Sequence, residues 1–355
     1  MSSLSTVSMS TVADEVVIYG AGNTGKSICC NLELLGIKVL AFIDKNKRGI
    51  PTFCDHPLYE LGKVDDRLLK KQVLIAIHNR EVDIEELVVL LRRSGFQNIV
   101  TMIDYINFNP SDETFRYFLS PADAILSKES QINEFKELLC DQKSKDLYEG
   151  LLMFRLGHGY QYCPKPEHAN QYAPSDISRW ANPMSLIDCG AYTGDSIRTF
   201  KKNNYDISSL VAFEPDPVSY QKLITSCQSL NALLLPCGVG RTADVLRFNS
   251  GGSEGSRVSN SGDVVIQICS IDEILWGWAP TLIKMDIEGA EYDAIQGAKN
   301  IIRKHRPGLA ISIYHTPQDL WRLGLAINEI AEGYQFYIRC HGYSSFDTVL
   351  YGLPS

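Results

Sequence analysis

Positive charge is in short supply. The 355-residue chain carries 34 Lys and Arg against 42 Asp and Glu, a formal net charge of −8. An acidic chain repels a phosphate backbone, which argues against nucleic acid as a partner. Cysteine pairs at C-x-x-C spacing are also missing among the ten cysteines. Several cysteines lie in apolar runs, such as Cys189 in "LIDCG" and Cys237 in "LLLPCG", and read as buried free thiols of a reducing, cytoplasmic compartment. No apolar run is long enough to span a bilayer. The start, "MSSLSTVSMSTVADE", lacks a basic segment followed by an apolar core, so residues 1–14 read as a polar tail rather than a secretory leader. Histidines at ligand spacing are lacking as well: His158 and His168 stand alone, and no metal is expected.

What is present is ordinary for a globular protein: 45% hydrophobic and 21% charged residues, over a length that favours two domains. Apolar runs of strand length alternate with helical patterns in two separate blocks. Residues 15–109 give "EVVIYG", "KVLAFID", "QVLIAIHN" and "NIVTMIDY" with amphipathic segments between them, a small α/β block of about four strands. Residues 110–182 read as a helical connector and a Pro/Asn/Tyr-rich lead-in, in which Tyr172 is the aromatic best placed to touch a ligand. Residues 183–355 hold "SLIDCG", "LVAFEPD", "TLIKMDIEG" and "GLAISIYH", then two strands flanking "GYSSF". These predict a doubly wound parallel sheet closed by an antiparallel hairpin.

The first block opens on "GAGNTGKS". It satisfies G-x-G-x-x-G through Gly20, Gly22 and Gly25, and also the P-loop pattern through Lys26 and Ser27. A P-loop needs a second apolar strand ending in Asp, and "QVLIAIHN" ends in His78 and Asn79 instead. The dinucleotide pattern needs an acid about 20 residues on, and Asp44 stands 44 − 25 = 19 residues past Gly25. Gly20, Gly22, Gly25 and Asp44 therefore form a candidate site for NAD(P) or another nucleotide. The alternative is that these glycines only pack a helix on a sheet.

The second block opens on another glycine loop. "LIDCGAYTGDS" puts Asp188, Gly190 and Gly194 directly after an apolar strand, and Glu214 in "VAFEPD" follows 214 − 194 = 20 residues later. The loop lacks the G-x-x-G ending that cradles a pyrophosphate. It suits a nucleoside without phosphates, where glycines permit close backbone approach and an acid grips the ribose hydroxyls. Asp188 could serve the loop or a cationic group of the ligand. Asp286 and His315 end two further strands at the carboxyl edge, with Glu288 between them in sequence. Each could take a proton from a hydroxyl, and hard carboxylates with an imidazole could also suit magnesium or manganese. Glu291 could instead cap or pair on its helix, and Asp286 could bond the "IEGA" turn. The Gly/Ser-rich loop with Ser256 and Arg257 could close over the site or remain solvated.

Taken together and in order, "DCGAYTGDS", "FEPD", "SIDEIL", "IKMDIEGAEYDAIQGA", "RPGLAISIYHTPQDLW" and "FDTVLYGLP" resemble the FkbM-type S-adenosylmethionine-dependent methyltransferases over residues 183–355. The resemblance implies methyl transfer from S-adenosyl-L-methionine to a hydroxyl, often of a sugar, glycan or polyketide. It implies the ligand roles of Asp188, Gly190, Gly194 and Glu214, and the candidate cofactor set also takes in Ala191, Tyr192, Asp195, Pro215, Asp216 and Asp286. The N-terminal block departs from the core pattern and is expected to be an accessory domain.

Overall fold

The computed structural model describes residues 11–46, 49–113, 117–248 and 264–355. The chain divides into two compact units. The first takes residues 1–129, 149–165 and 342–346, and the second takes 130–148, 166–341 and 347–355.

In the first unit the strands are β1 (Glu15–Tyr19), β2 (Lys38–Ile43), β3 (Thr52–Phe53), β4 (His56–Tyr59), β5 (Gln72–Ile75) and β6 (Ile99–Val100), ordered β3-β4-β2-β1-β5-β6. All neighbours run parallel except β3 and β4. Four of these strands are the apolar runs of the sequence. The short β3–β4 hairpin escapes pattern reading because Pro51, Pro57 and the turn at Cys54 and Asp55 break its alternation. β1 and β5 are buried along nearly their whole length, as a sheet covered on both faces requires. Residues 11–14, expected in a tail, are held instead: the Gln72 amide donates to the Thr11 carbonyl at 2.9 Å and accepts from Ala13 N at 2.7 Å. Residues 1–10 of that expected tail lie outside the described residues.

In the second unit the principal strands are β7 (Met184–Cys189), β8 (Ile207–Phe213) and β9 (Ala232–Leu235). Next in the chain are β10 (Gly238–Val239), β11 (Asp244–Phe248) and β12 (Val264–Cys269), and after them β13 (Leu282–Met285), β14 (Gly308–Ser312), β15 (Tyr334–Cys340) and β16 (Thr348–Pro354). Seven form one sheet, ordered β15-β16-β14-β13-β7-β8-β9, parallel except for β16 against both β14 and β15. This is the expected doubly wound α/β sheet with a terminal antiparallel hairpin. β10, β11 and β12 leave it for a small sheet of their own. Val245 and Val265 are 61% and 59% exposed there, so those apolar residues do not build the main core. The helix Asp195–Lys202 buries Ile197 and Phe200 in a core shared with Leu186, Leu210 and Leu282.

Buried Arg339 on β15 fixes the 130–148 segment of this unit. Its guanidinium donates to Asp176 at 2.9 Å, to Asp141 at 2.7 Å and to Ser144 Oγ at 2.9 Å. A desolvated planar fork with three side-chain acceptors holds those segments in register.

Candidate active site

The parallel strands β7, β8, β13 and β14 end at one edge, where open α/β sheets place their ligands. The loop after β7 comes very close to the end of β13. A Cβ on Gly190 would sit 1.9 Å from the Asp286 carbonyl oxygen, and Gly190 has φ +75°, so only glycine fits. Gly194 caps the following helix at φ +83° in the left-handed region. Ala191 is buried, while Tyr192 and Asp195 are exposed on the loop and the first helical turn.

Glu214 follows β8 and is 6% exposed. One carboxylate oxygen accepts from Tyr192 N at 2.7 Å and the other from Asp216 N at 2.8 Å. Burial pushes its pKa up, against the pull of those two amides. Pro215 leads to Asp216, which caps the helix Pro217–Cys227 through Ser219 N at 2.8 Å. Asp216 thus serves the helix, while Glu214 keeps lone pairs at the sheet edge.

Asp188 is fully buried. It accepts from Ser196 Oγ and pairs with the Lys284 ammonium at 3.0 Å. Lys284 is the residue that sequence reasoning passed over. It projects from β13 at 1% exposure and donates to the Gly190 carbonyl at 2.7 Å. Burial opposes its charge, yet Asp188, Asp286 and Asp195 hold the ammonium well above its ordinary pKa. A lysine inside an otherwise apolar strand was the available signal.

Asp286, Glu288 and His315 come together at this edge. His315 Nε2 lies 3.3 Å from Asp286 Oδ1 and 4.0 Å from Glu288 Oε2. Its Nδ1 lies 2.7 Å from Glu291 Oε1. Burial disfavours the imidazolium, but Glu291 and Asp286 hold its pKa well above the usual histidine range. The two carboxylates thus favour the imidazolium form of His315. Asp286 also accepts from Tyr172 Oη at 2.7 Å. Burial works against its ionisation, yet His315, Lys284 and Tyr172 keep the carboxyl well below its ordinary pKa. Glu291 is not a surface helix residue: it is buried and accepts from Ile287 N at 2.8 Å and Gly289 N at 3.0 Å. Asp286, Glu291 and His315 offer donor atoms within 4.8 Å of one another. Within that group Glu291 is already bonded to two amides and the histidine.

The N-terminal glycine loop repeats the Glu214 arrangement. Asp44 accepts from Ala21 N at 2.9 Å through one oxygen and from Asn46 N at 2.6 Å through the other. Gly25 packs so closely that a Cβ would lie 2.0 Å from the Gly20 carbonyl, whereas Gly22 faces open space. The helix-packing role of Gly25 is thereby explained. The spacing Tyr59-x-x-x-Lys63 also occurs near Asp44. Tyr59 closes β4, however, and Lys63 sits in the next turn paired with Glu60 at 2.8 Å, so no helix brings the two onto one face. Ser256 and Arg257 lie outside the described residues.

The sheet order, the glycine loop and the acid after the second strand define the methyltransferase-type α/β class. Within that class, residues 188–344 match the methyltransferase FkbM domain, which makes this part of the chain a methyltransferase domain. The crystal structure of methyltransferase FkbM from Methylobacillus flagellatus KT shares the fold at a TM-score of 0.77 and 22% identity, covering 96% of this chain and 90% of that one. Precorrin-6y C5,15-methyltransferase from Geobacter metallireducens GS-15 is far more distant, at 12% identity, 49% and 81% coverage and a TM-score of 0.32. Fibrillarin from Aeropyrum pernix, solved with natively bound S-adenosyl-L-methionine, stands at 9%, 48% and 67% coverage and 0.30. Among curated proteins the chain has no significant match. Among the described residues no helix is long and apolar enough to cross a membrane.

Proposed function

We propose that the enzyme moves the methyl group of S-adenosyl-L-methionine to a hydroxyl oxygen of a sugar, glycan or glycosylated metabolite. The observation that carries the cofactor assignment is Glu214, set by two amides at the end of β8 beside the Gly190–Gly194 loop. Its remaining lone pairs suit a ribose diol. Asp286, Glu288 and Asp195 add negative charge at the same edge, which complements a sulfonium and an ammonium.

The donor methyl is already electrophilic, so in-line positioning supplies much of the rate. As the new C–O bond forms, the attacking hydroxyl becomes a protonated ether, which is strongly acidic. A weak base suffices at that stage, and Asp286 is the anion at hand, its side chain 26% exposed. His315 then acts as a positioning residue. Charged and anchored by Glu291, it orients Asp286 and keeps it ionised. Titration calorimetry with S-adenosyl-L-methionine, together with detection of S-adenosylhomocysteine in the presence of hydroxylated acceptors, tests the proposal. Absence of cofactor binding by the folded chain would refute it.

A further inference from the structure

A second group of metal-ligand side chains lies in the first unit, unrelated to methyl transfer. Cys29 and Glu33 stand four residues apart on the helix Asn23–Leu34, so they share one face. His56 opens β4 directly after Cys54 and Asp55, whose φ values of +50° and +63° fold the hairpin back. His56 Nε2 lies 2.9 Å from Glu33 Oε1. The donor atoms of Cys29, Glu33 and His56 all lie within 4.8 Å of one another.

From these positions we propose that Cys29, Glu33 and His56 form a site for a zinc-class divalent ion. One thiolate, one imidazole and one carboxylate suit a borderline ion such as Zn²⁺ and disfavour magnesium and calcium, which take oxygen ligands. A tetrahedral ion about 2.0–2.3 Å from each donor sets the donors about 3.3–3.8 Å apart. The His56–Glu33 separation of 2.9 Å is shorter than that spacing, all three donors fall within 4.8 Å, and the Glu33 side chain is 48% exposed.

Burial is graded across the group. Cys29 is 1% exposed on the inside, while the His56 side chain is 20% exposed toward solvent. An open hollow lined by Glu33, Lys38, Leu40 and His56 lies beside two of the three ligands. In the proposed site a water would complete the tetrahedral shell. The His56 ring is steadied by Phe42 at 6.1 Å between centroids. The site also has something to hold: β3 and β4 have two and four residues, and Leu58 is the buried apolar anchor of β4. Such a hairpin is marginal by itself. A bound ion would tie it to the helix that carries the first glycine loop.

The test uses the full chain and Co²⁺ as a spectroscopic stand-in for Zn²⁺. The wild type should bind one equivalent with a thiolate-to-cobalt charge-transfer band in the near ultraviolet, which Zn²⁺ should bleach. Cys29→Ser should lose the band. Glu33→Gln and His56→Ala, both outside the buried core, should each weaken Co²⁺ binding at least roughly tenfold, on the scale of losing one ligand or its support. Cys30→Ser, which removes the neighbouring exposed thiol, should leave the band intact. The proposal is overturned by a wild type with no band, by a band that survives Cys29→Ser or follows Cys30→Ser, or by an affinity unmoved in both Glu33→Gln and His56→Ala.

Discussion

Glu291 and His315 form a closed pair, with Oε1 and Nδ1 2.7 Å apart and both side chains buried. The same carboxylate accepts two amides of the turn after β13, so it fixes the Asp286 turn and the charge on His315 together. Glu291→Gln should therefore lower kcat strongly while KM for the cofactor stays near wild type. Leaving a buried cation without its partner should also cost about 3–5 kcal/mol in stability. Steady-state kinetics and urea unfolding measure the two effects, and an unchanged kcat would remove Glu291 from the mechanism.

The pH dependence follows from the directions of two shifts. His315 has a raised pKa in the fold, so its contribution to stability is complete below the unfolded value of about 6.5 and fades as pH climbs toward the folded value. Asp286 has a depressed pKa, so its contribution is complete above about 3.9 and fades in acid. Through the neutral range the two shifts together favour the charged form of both groups. The profile of kcat/KM should show no inflection near pH ~6.5 from an unperturbed imidazole. A rise centred there that disappears in His315→Asn would mean His315 is the base after all.

Loss of the Glu214 carboxylate should weaken cofactor binding and leave the fold in place. Hydrogen bonds to a charged acceptor are worth about 1.5–3 kcal/mol, so Glu214→Ala should raise the cofactor Kd roughly ten- to a hundredfold. Calorimetry checks this. An affinity within twofold of wild type would show that the ribose lies elsewhere.

Lys284 and Asp188 should behave as a unit. Lys284→Met strands the buried Asp188 carboxylate and should destabilise the protein by about 3–5 kcal/mol. Adding Asp188→Asn removes the stranded charge and should recover part of that loss. A double variant less stable than the sum of the single variants would contradict the pairing.

Gly190→Ala should abolish cofactor binding, because the new methyl would overlap the Asp286 carbonyl and strain a positive φ. Circular dichroism separates this local effect from global unfolding. Binding retained at wild-type affinity would show that the loop can retreat from β13.

Much of this site could be read along the chain, because its signals are local. Gly190, Gly194 and Glu214 follow their strands at fixed spacing, and Asp286 and His315 each close an apolar run. What escaped depends on distant partners. Lys284 has meaning only beside Asp188, 96 residues away in sequence, and Glu291, though noticed, shows its tie to His315 only in the fold. Likewise β11 and β12 carry ordinary strand patterns, and nothing local says that they pair apart from the main sheet. The β3–β4 hairpin was invisible because prolines interrupt it, so His56 could not be set next to Cys29 and Glu33.

The doubled grip of Glu214 on two main-chain amides has a consequence for selectivity. An acid pinned at both oxygens cannot swing toward an ill-fitting guest. On the proposed reading of Glu214 as the ribose acid, a donor analogue lacking one sugar hydroxyl should forfeit its bond outright instead of being met halfway.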